Sequence, residues 1–318
     1  MKGVRILLTG ANGFIGSHVL EALASRNRWK IGALVREGSD LSRISPIIES
    51  SSNAEICVMK KGNVDEIISE FKPELVIHLA AFMERISNNE NIDKMIESNV
   101  LFPTRILESM RKNEVRYFIN TGTFSEFLLD RKNLASDSVI RPINLYAATK
   151  VAFEDILKYY VEYQNITAAT LKLSAVYGPR DIQRKLITYL ISCSLEGAEA
   201  KVSPGEQEWD YVYVRDVAKA YLKTVDYLID TSNNYSVFNI GSGSAYRIKD
   251  IVKNVKSLNY KLKVKFGAIP YNEHETFYFK MDITEARNKL KWRPVYSLKD
   301  GIRETYEYLK NDRKFKQS

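Results

Sequence analysis

Three features of the chain predict a doubly wound α/β fold, a parallel sheet with helices on both faces and a smaller α/β part attached. The first is the run Val4, Ile6, Leu7 and Leu8, apolar on both faces as a strand covered on two sides must be. The second follows it directly: Gly10, Gly13 and Gly16 form a turn, and Ile15, Val19, Leu20 and Leu23 then recur at helical spacing. The third is alternation, since strand-like apolar runs and helical patterns succeed one another to about residue 241. With 318 residues, 45% of them hydrophobic, the chain can bury a core in one large unit or in a nucleotide domain with a smaller companion.

The glycine turn carries the first chemistry. Its glycines let the backbone turn tightly, approach a diphosphate and pack helix on strand, with the helix N-terminus facing the anion. A ligand-free glycine loop is the alternative, and the strand before and helix after the turn speak against it. Asn12, Phe14 and Ile15 lie in the same turn and are expected at the cofactor. This is the entry unit of a Rossmann-type sheet.

Lys30 to Val35 reads as the second strand and ends at Arg36, where an acidic residue would hold a ribose 2′-OH and an arginine accommodates a 2′-phosphate. NADP(H) is therefore preferred, with NAD(H) the alternative because Glu37 follows at once. Glu55 to Met59 is a third strand, leading to Asn63 and Val64. Glu74 to Ala81 is the fourth, and its end, Leu79, Ala80 and Ala81 before Phe82, is small enough for a cofactor to lie against. Asn91 to Lys112 has helical periodicity with a kink expected at Pro103. Asn99 falls within it.

Val115 to Asn120 is the fifth strand, and Thr121-Gly122-Thr123-Phe124-Ser125 brings side chains to the carboxyl edge of the sheet, where ligands bind in such folds. A helix from Leu145 to about Gln164 then presents Tyr146 and Lys150, four residues apart, on one face. Residues 166 to 173 make a sixth strand. Beyond it the expected order is a Tyr177-Gly178-Pro179-Arg180 turn, a helix Ile182 to Glu196, a loop to Gln207, and a strand Asp210 to Val214. A helix through Val217 to Leu228 and a strand Ser236 to Gly241 follow, and Lys291-Trp292-Arg293-Pro294 sits between two helices as part of a compact lid. Residues 1–173 are expected to bind the dinucleotide, their core completed by about 210–241, and 174–209 with 242–318 to form the substrate-binding part.

Composition narrows the classes. Two cysteines, Cys57 and Cys193, cannot build a disulfide framework, and His18, His78 and His274 stand apart from any ligand cluster, so no metal is expected. No apolar run is long enough to span a bilayer and no signal peptide is seen, which predicts a cytoplasmic protein with no membrane partner. The net charge is +8, with lysines concentrated from Lys249 to Lys265. Solvated faces explain this better than a nucleic-acid surface, and a positive field also attracts an anionic nucleotide substrate.

Taken together, Gly10, Gly13 and Gly16, Asn99, Thr123, Tyr146-x-x-x-Lys150, Tyr177-Gly178-Pro179 and the stretch Asp210 to Ala218 resemble the extended short-chain dehydrogenase/reductases that act on nucleotide sugars. The resemblance covers nearly the whole chain. It implies that Asn63 and Val64 contact adenine, that Asn99 supports the active site through its helix, and that Thr123, Tyr146 and Lys150 are catalytic. The chemistry agrees: reducing a ketone leaves alkoxide charge that an acid must quench, and a phenol needs a nearby cation to serve. Thr121 would contact the cofactor. Phe82, Thr123, Phe124, Ser125 and Tyr146 would face the substrate.

Departures from the pattern select the reaction. The 4,6-dehydratases of this group carry an Asp-Glu pair after the threonine, where this chain has Phe124 and Ser125, with Glu126 one further on. Epimerases keep a bound NAD, for which Arg36 is a poor partner. Leu145 to Leu157, Asp181 to Leu186 and Ser203 to Gln207 resemble the bacterial 4-ketoreductases of CDP- and dTDP-linked 6-deoxyhexoses. That branch implies Arg184 and Lys185 at the substrate diphosphate. Ala175 stands where epimerases use asparagine on the sugar nucleotide, and Trp209 where an arginine often precedes the Asp-Tyr strand. The expected activity is NADPH-dependent reduction of a nucleotide-linked 4-keto-6-deoxyhexose. A 4-epimerase and a non-catalytic dinucleotide sensor are the alternatives, and the resemblance implies a homodimer built on the helices of Asn99 and Tyr146.

Overall fold

The computed structural model describes residues 3–60, 63–84, 89–129, 133–181, 185–272 and 275–312. Its strands are β1 Val4–Thr9, β2 Trp29–Arg36, β3 Ala54–Met59, β4 Leu75–His78, β5 Tyr117–Thr123, β6 Asn133–Leu134 and β7 Thr167–Leu173. They continue with β8 Ala175–Tyr177, β9 Glu199–Lys201, β10 Glu208–Tyr213, β11 Tyr235–Ile240, β12 Ala245–Arg247, β13 Lys263–Lys265 and β14 Tyr278–Met281. The helices are α1 Phe14–Ala24, α2 Ser45–Glu49, α3 Val64–Phe71, α4 Asn89–Ile96, α5 Phe102–Lys112 and α6 Leu145–Tyr163. After them come α7 Leu186–Glu196, α8 Val214–Asp230, α9 Ile248–Leu258, α10 Thr284–Lys289 and α11 Leu298–Asn311.

Seven strands form one parallel sheet in the order β11-β7-β5-β4-β1-β2-β3. The order reverses between β1 and β4, and a ligand crevice opens at such a switch point. Helices cover both faces over two apolar cores, one joining Ile6 and Leu8 to α1 and α8, the other Leu7 and Val76 to α5 and α6. The Rossmann-type expectation is thereby met. A five-stranded sheet of β12-β10-β14-β6 with β8 on β10 lies beyond, and a third core joins α7, α9 and α11 through Ile191, Val255 and Ile302.

Several boundaries differ from expectation for physical reasons. The fourth strand stops at His78, because Leu79 N donates to Thr9 O at 3.2 Å and Ala80 N to Thr9 Oγ1 at 3.3 Å, which folds the chain onto the glycine turn. β5 runs on to Thr123, paired with β7 as far as Leu173. The expected single helix of 91–112 is three pieces, α4, a π-helical turn Glu97–Leu101, and α5, with Pro103 in the first turn of α5. Proline cannot donate to the carbonyl four residues back, and the wider turn absorbs the lost bond. The described part of the helix expected from Ile182 begins at Leu186. Trp292 is 3% exposed and its Nε1 donates to Asp216 O at 2.9 Å, so the C-terminal stretch is packed into the body and is no lid.

The Asp-Tyr motif is a clamp. The Asp210 carboxylate accepts from Ser242 N at 2.7 Å, Gly243 N at 3.0 Å and Met281 N at 3.2 Å, and Asp216 from Val295 N and Tyr296 N. His18 and His78 serve packing, as expected: His18 Nε2 meets Pro179 O at 2.9 Å, and His78 bonds Thr9 Oγ1 and stacks on Phe118. His274 lies outside the described residues.

Candidate active site

The turn after β1 has the shape its glycines predict. Gly10 sits at a φ of +69°, and a Cβ there would lie 2.6 Å from Ala80 N. A Cβ on Gly16 would lie 2.0 Å from Gly10 O, so the helix packs on the turn only because Gly16 has no side chain. Gly13 caps α1 without a side chain of its own, which leaves the first-turn N–H groups for an anion. Half-buried Phe14 and Ile15 border them. Asn12 Nδ2 donates to Asp40 O at 3.2 Å, and Arg43 Nη1 donates to Asn12 O at 3.1 Å, tying the turn to the loop after Arg36. The arrangement fits the diphosphate of a dinucleotide.

Arg36 is exposed at the carboxyl end of β2. Asn63 stands at the start of α3 with its side chain uncommitted to the helix, but Val64 is buried beside Leu34 and Met59. Val64 therefore offers a ligand its main chain and not its side chain. Thr121 Oγ1 donates to His78 O at 2.7 Å and lies 2.7 Å from the Tyr221 hydroxyl. That hydroxyl is used inside the fold.

Thr123 ends β5, and α6, whose first two turns carry Tyr146 and Lys150, packs against β5 and the turn after it. Thr123 Oγ1 accepts from Ser125 N and donates to Ser125 Oγ, both at 3.3 Å, while Glu126 Oε1 accepts from Thr123 N at 2.7 Å. The reciprocal cap locks the turn. Lys150 is 2% exposed, and burial pulls its ammonium down to about 8 while Glu126 and then Glu154 hold it up. The Tyr146 phenol moves the other way from the expected easing by a cation: burial first, and Glu126 second, push it above its ordinary range. It keeps its proton at neutral pH.

Asn99, fully buried in the π turn, touches no open space. Its Oδ1 accepts from Phe82 N at 2.8 Å, and its Nδ2 donates to Phe82 O at 2.9 Å and to Thr149 Oγ1 at 3.0 Å. It latches the loop after β4 to α6 beside the Tyr146–Lys150 face. Phe124 stacks on Phe279 at 4.1 Å, and Trp209 joins them with its Nε1 donating to Thr276 O. Ala175 pairs with Tyr211. Lys185 lies 3.7 Å from Asp181 and 5.1 Å over the Phe14 ring, against the glycine turn. Arg184 lies outside the described residues.

Lys172 and Glu154, neither expected at the site from the sequence, join Glu126 there. Lys172 Nζ, on β7, reaches Glu126 Oε2 at 2.6 Å and Glu154 Oε2 at 3.0 Å, all three nearly without exposure. Two signals were present: a lone lysine inside an apolar strand, and Glu154 four residues after Lys150. Among the described residues no cluster could hold a metal, and no helix is long and apolar enough to cross a membrane.

Fold and site together define an α/β enzyme built for a dinucleotide, and residues 6–241 match the NAD dependent epimerase/dehydratase family. The chain belongs to that family. It is 28% identical to a CDP-abequose synthase of Salmonella typhimurium, over 96% of this chain and 98% of that one. A putative UDP-glucose 4-epimerase of Methanocaldococcus jannaschii is 30% identical, over 96% and 99%. Among solved structures, the UDP-glucose 4-epimerase of Thermotoga maritima with UDP-glucose superposes with a TM-score of 0.83 at 26% identity, over 96% and 98%.

Proposed function

We propose that this enzyme reduces the 4-keto group of a nucleotide-linked 4-keto-6-deoxyhexose, CDP- or dTDP-linked, with NADPH, for the synthesis of surface-polysaccharide sugars. The observation that carries the reading is the fate of the three residues after Thr123. Phe124 is held in an aromatic stack, Ser125 is bonded to Thr123, and both Glu126 oxygens are taken, by Thr123 N and Lys172. No acid-base pair is left for eliminating water, so the site retains a proton donor beside a carbonyl-binding hydroxyl. The likeness to CDP-abequose synthases over 91–96% of this chain supports a nucleotide-linked sugar of that class as substrate.

In this reading the glycine turn holds the dinucleotide diphosphate, Asn12 and Asn63 border it, and Arg36 takes the 2′-phosphate. Bound there, the nicotinamide supplies the hydride. The Thr123 hydroxyl orients the keto oxygen, and Tyr146, loaded with its proton, delivers it to the alkoxide as charge develops. Lys150 then stabilises the phenolate and holds the nicotinamide ribose. Phe82, Phe124, Ala175 and Trp209 line the sugar, and Lys185 with Arg184 meets its diphosphate. Residues 174–209 and 242–318 are thus the substrate-binding part. Ile96 at the end of α4, Leu101 in the π turn, and Tyr159 and Tyr163 on α6 are exposed and suit the face of a homodimer.

A 4-epimerase is the second reading, favoured by the epimerases among the relatives. The test offers NADPH with CDP-, dTDP- and GDP-linked 4-keto-6-deoxy sugars. Oxidation with one of them, and a product of single C4 configuration, is expected. Protein that interconverts C4 epimers on dinucleotide it carries, with none added, decides for the epimerase.

A further inference from the structure

Behind Thr123 and Tyr146 lies a group of four charges with almost no exposure: Lys150 and Glu154 on α6, Lys172 on β7 and Glu126 in the turn after β5. Tyr146, Lys150 and Glu154 follow one another at intervals of four residues, one row on the helix face turned to the sheet. Lys172 bridges the two carboxylates, and Gly122, its partner across the β5–β7 ladder, makes room for them. A Cβ on Gly122 would lie 2.9 Å from Glu126 Oε1 and 3.1 Å from Lys172 Cγ.

Stability does not account for such a cluster. Buried ion pairs cost desolvation that their attraction barely returns, and apolar residues of the same volume fold as well or better. Apart from Lys150, the cluster has no part in the chemistry assigned so far. Its hydrogen bonds and charges, however, reach every member of the reacting set. Glu126 holds the Thr123 main chain at 2.7 Å, and its charge reaches both Tyr146 and Lys150.

We propose that Glu126 is a positioning residue of the active site: braced by Lys172 and Glu154, it fixes the Thr123 main chain and supplies the negative charge that keeps buried Lys150 protonated beside Tyr146. The proposal rests on the reading of Thr123, Tyr146 and Lys150 as the reacting set. The groups acting on Lys150 and Tyr146 are Glu126 from the turn, Glu154 from α6, His78 from β4 and Tyr221 from α8, and Lys172 from β7 pairs with both carboxylates. Burial holds His78 neutral and Tyr221 protonated at neutral pH; it raises the Glu126 carboxyl too, an effect that Lys172 opposes, so the negative charge of the set comes from Glu126 and Glu154 as bridged by Lys172. Removing one draws the lysine further below its position of about 8 and toward neutrality at physiological pH.

The experiment reads Lys150 directly, by titrating its Nζ in 15N-lysine NMR spectra, with the signal identified by its absence in Lys150→Arg. In Glu126→Gln the amide oxygen still accepts from Thr123 N but the charge is gone. Lys150 is then expected to titrate lower by about one pH unit or more. Glu154→Gln, which leaves the Thr123 contact alone, shifts it the same way and decides the matter should Glu126→Gln fail to fold. In the holoenzyme, Glu126→Gln lowers kcat at least about tenfold with KM nearly unchanged, and moves the pH profile of kcat toward acid. A folded variant whose Lys150 titrates where the wild type does overturns the proposal. Absence of turnover by the wild type on every keto sugar sinks the reductase reading instead, and leaves the lysine titration to stand by itself.

Discussion

In the proposed reduction Tyr146 depends on what surrounds it. An ordinary phenol is a reluctant acid, and burial here makes it more so, which suits a group that must hold a proton until an alkoxide, a stronger base, appears beside it. The matching change is Tyr146→Phe, which removes one oxygen and keeps the ring. Turnover is expected to fall by roughly 10² to 10⁴-fold, the usual contribution of a positioned acid. Dinucleotide affinity, followed by quenching of protein fluorescence, should change little. Near-full activity would remove Tyr146 from the reaction. The placement of Tyr146 and Lys150 on one helix and of Thr123 at a strand end was legible from residue order and spacing. Lys172 was not, since its partners lie 46 and 18 residues away and meet it only through the fold.

At the level of elements, the long periodic pieces could be read and the short ones could not. β1, β2, β5 and β7 have enough residues to show an apolar run. β8, β9, β12 and β13 have three each and are held by their neighbours, not by their own pattern. The helix around Pro103 was readable as a break but not as a π turn, and only that turn aims Asn99 at Phe82 and Thr149. Asp210 is the reverse case, a motif residue whose use is architectural: one carboxylate joins β10 to the turn after β11 and to β14. Asp210→Ala leaves buried N–H groups without an acceptor, at about 1–3 kcal/mol apiece, so a loss of at least about 3 kcal/mol is expected. The midpoint of urea unfolding measures it, and an unchanged midpoint would show the clamp to be idle.

For the whole molecule, the apolar residues left outside count as much as those inside. Ile96 is 45% exposed and Tyr163 65%, on the helices that flank the active-site face. A homodimer would cover them, and would join the Asn99 latch of one protomer to a rigid partner. Ile96→Arg with Tyr163→Arg is expected to convert a dimer to a monomer in sedimentation equilibrium without unfolding it. A wild type that sediments as a monomer at micromolar concentration refutes the dimer.

The sheet order has a consequence for the chain as it is made. β7 pairs with β5 on one side and waits for β11 on the other, and β11 ends only at Ile240. During synthesis its open side is therefore bare for several seconds at roughly 5–20 residues per second. A bare strand of Thr-Ala-Ala-Thr-Leu-Lys-Leu is a template for pairing with another nascent chain, and a charge within such a strand is a known deterrent. Lys172 is that charge. Glu126 and Glu154 precede it in the chain, so its charge is expected to discourage pairing at the growing edge until α6 and the turn after β5 pack against it.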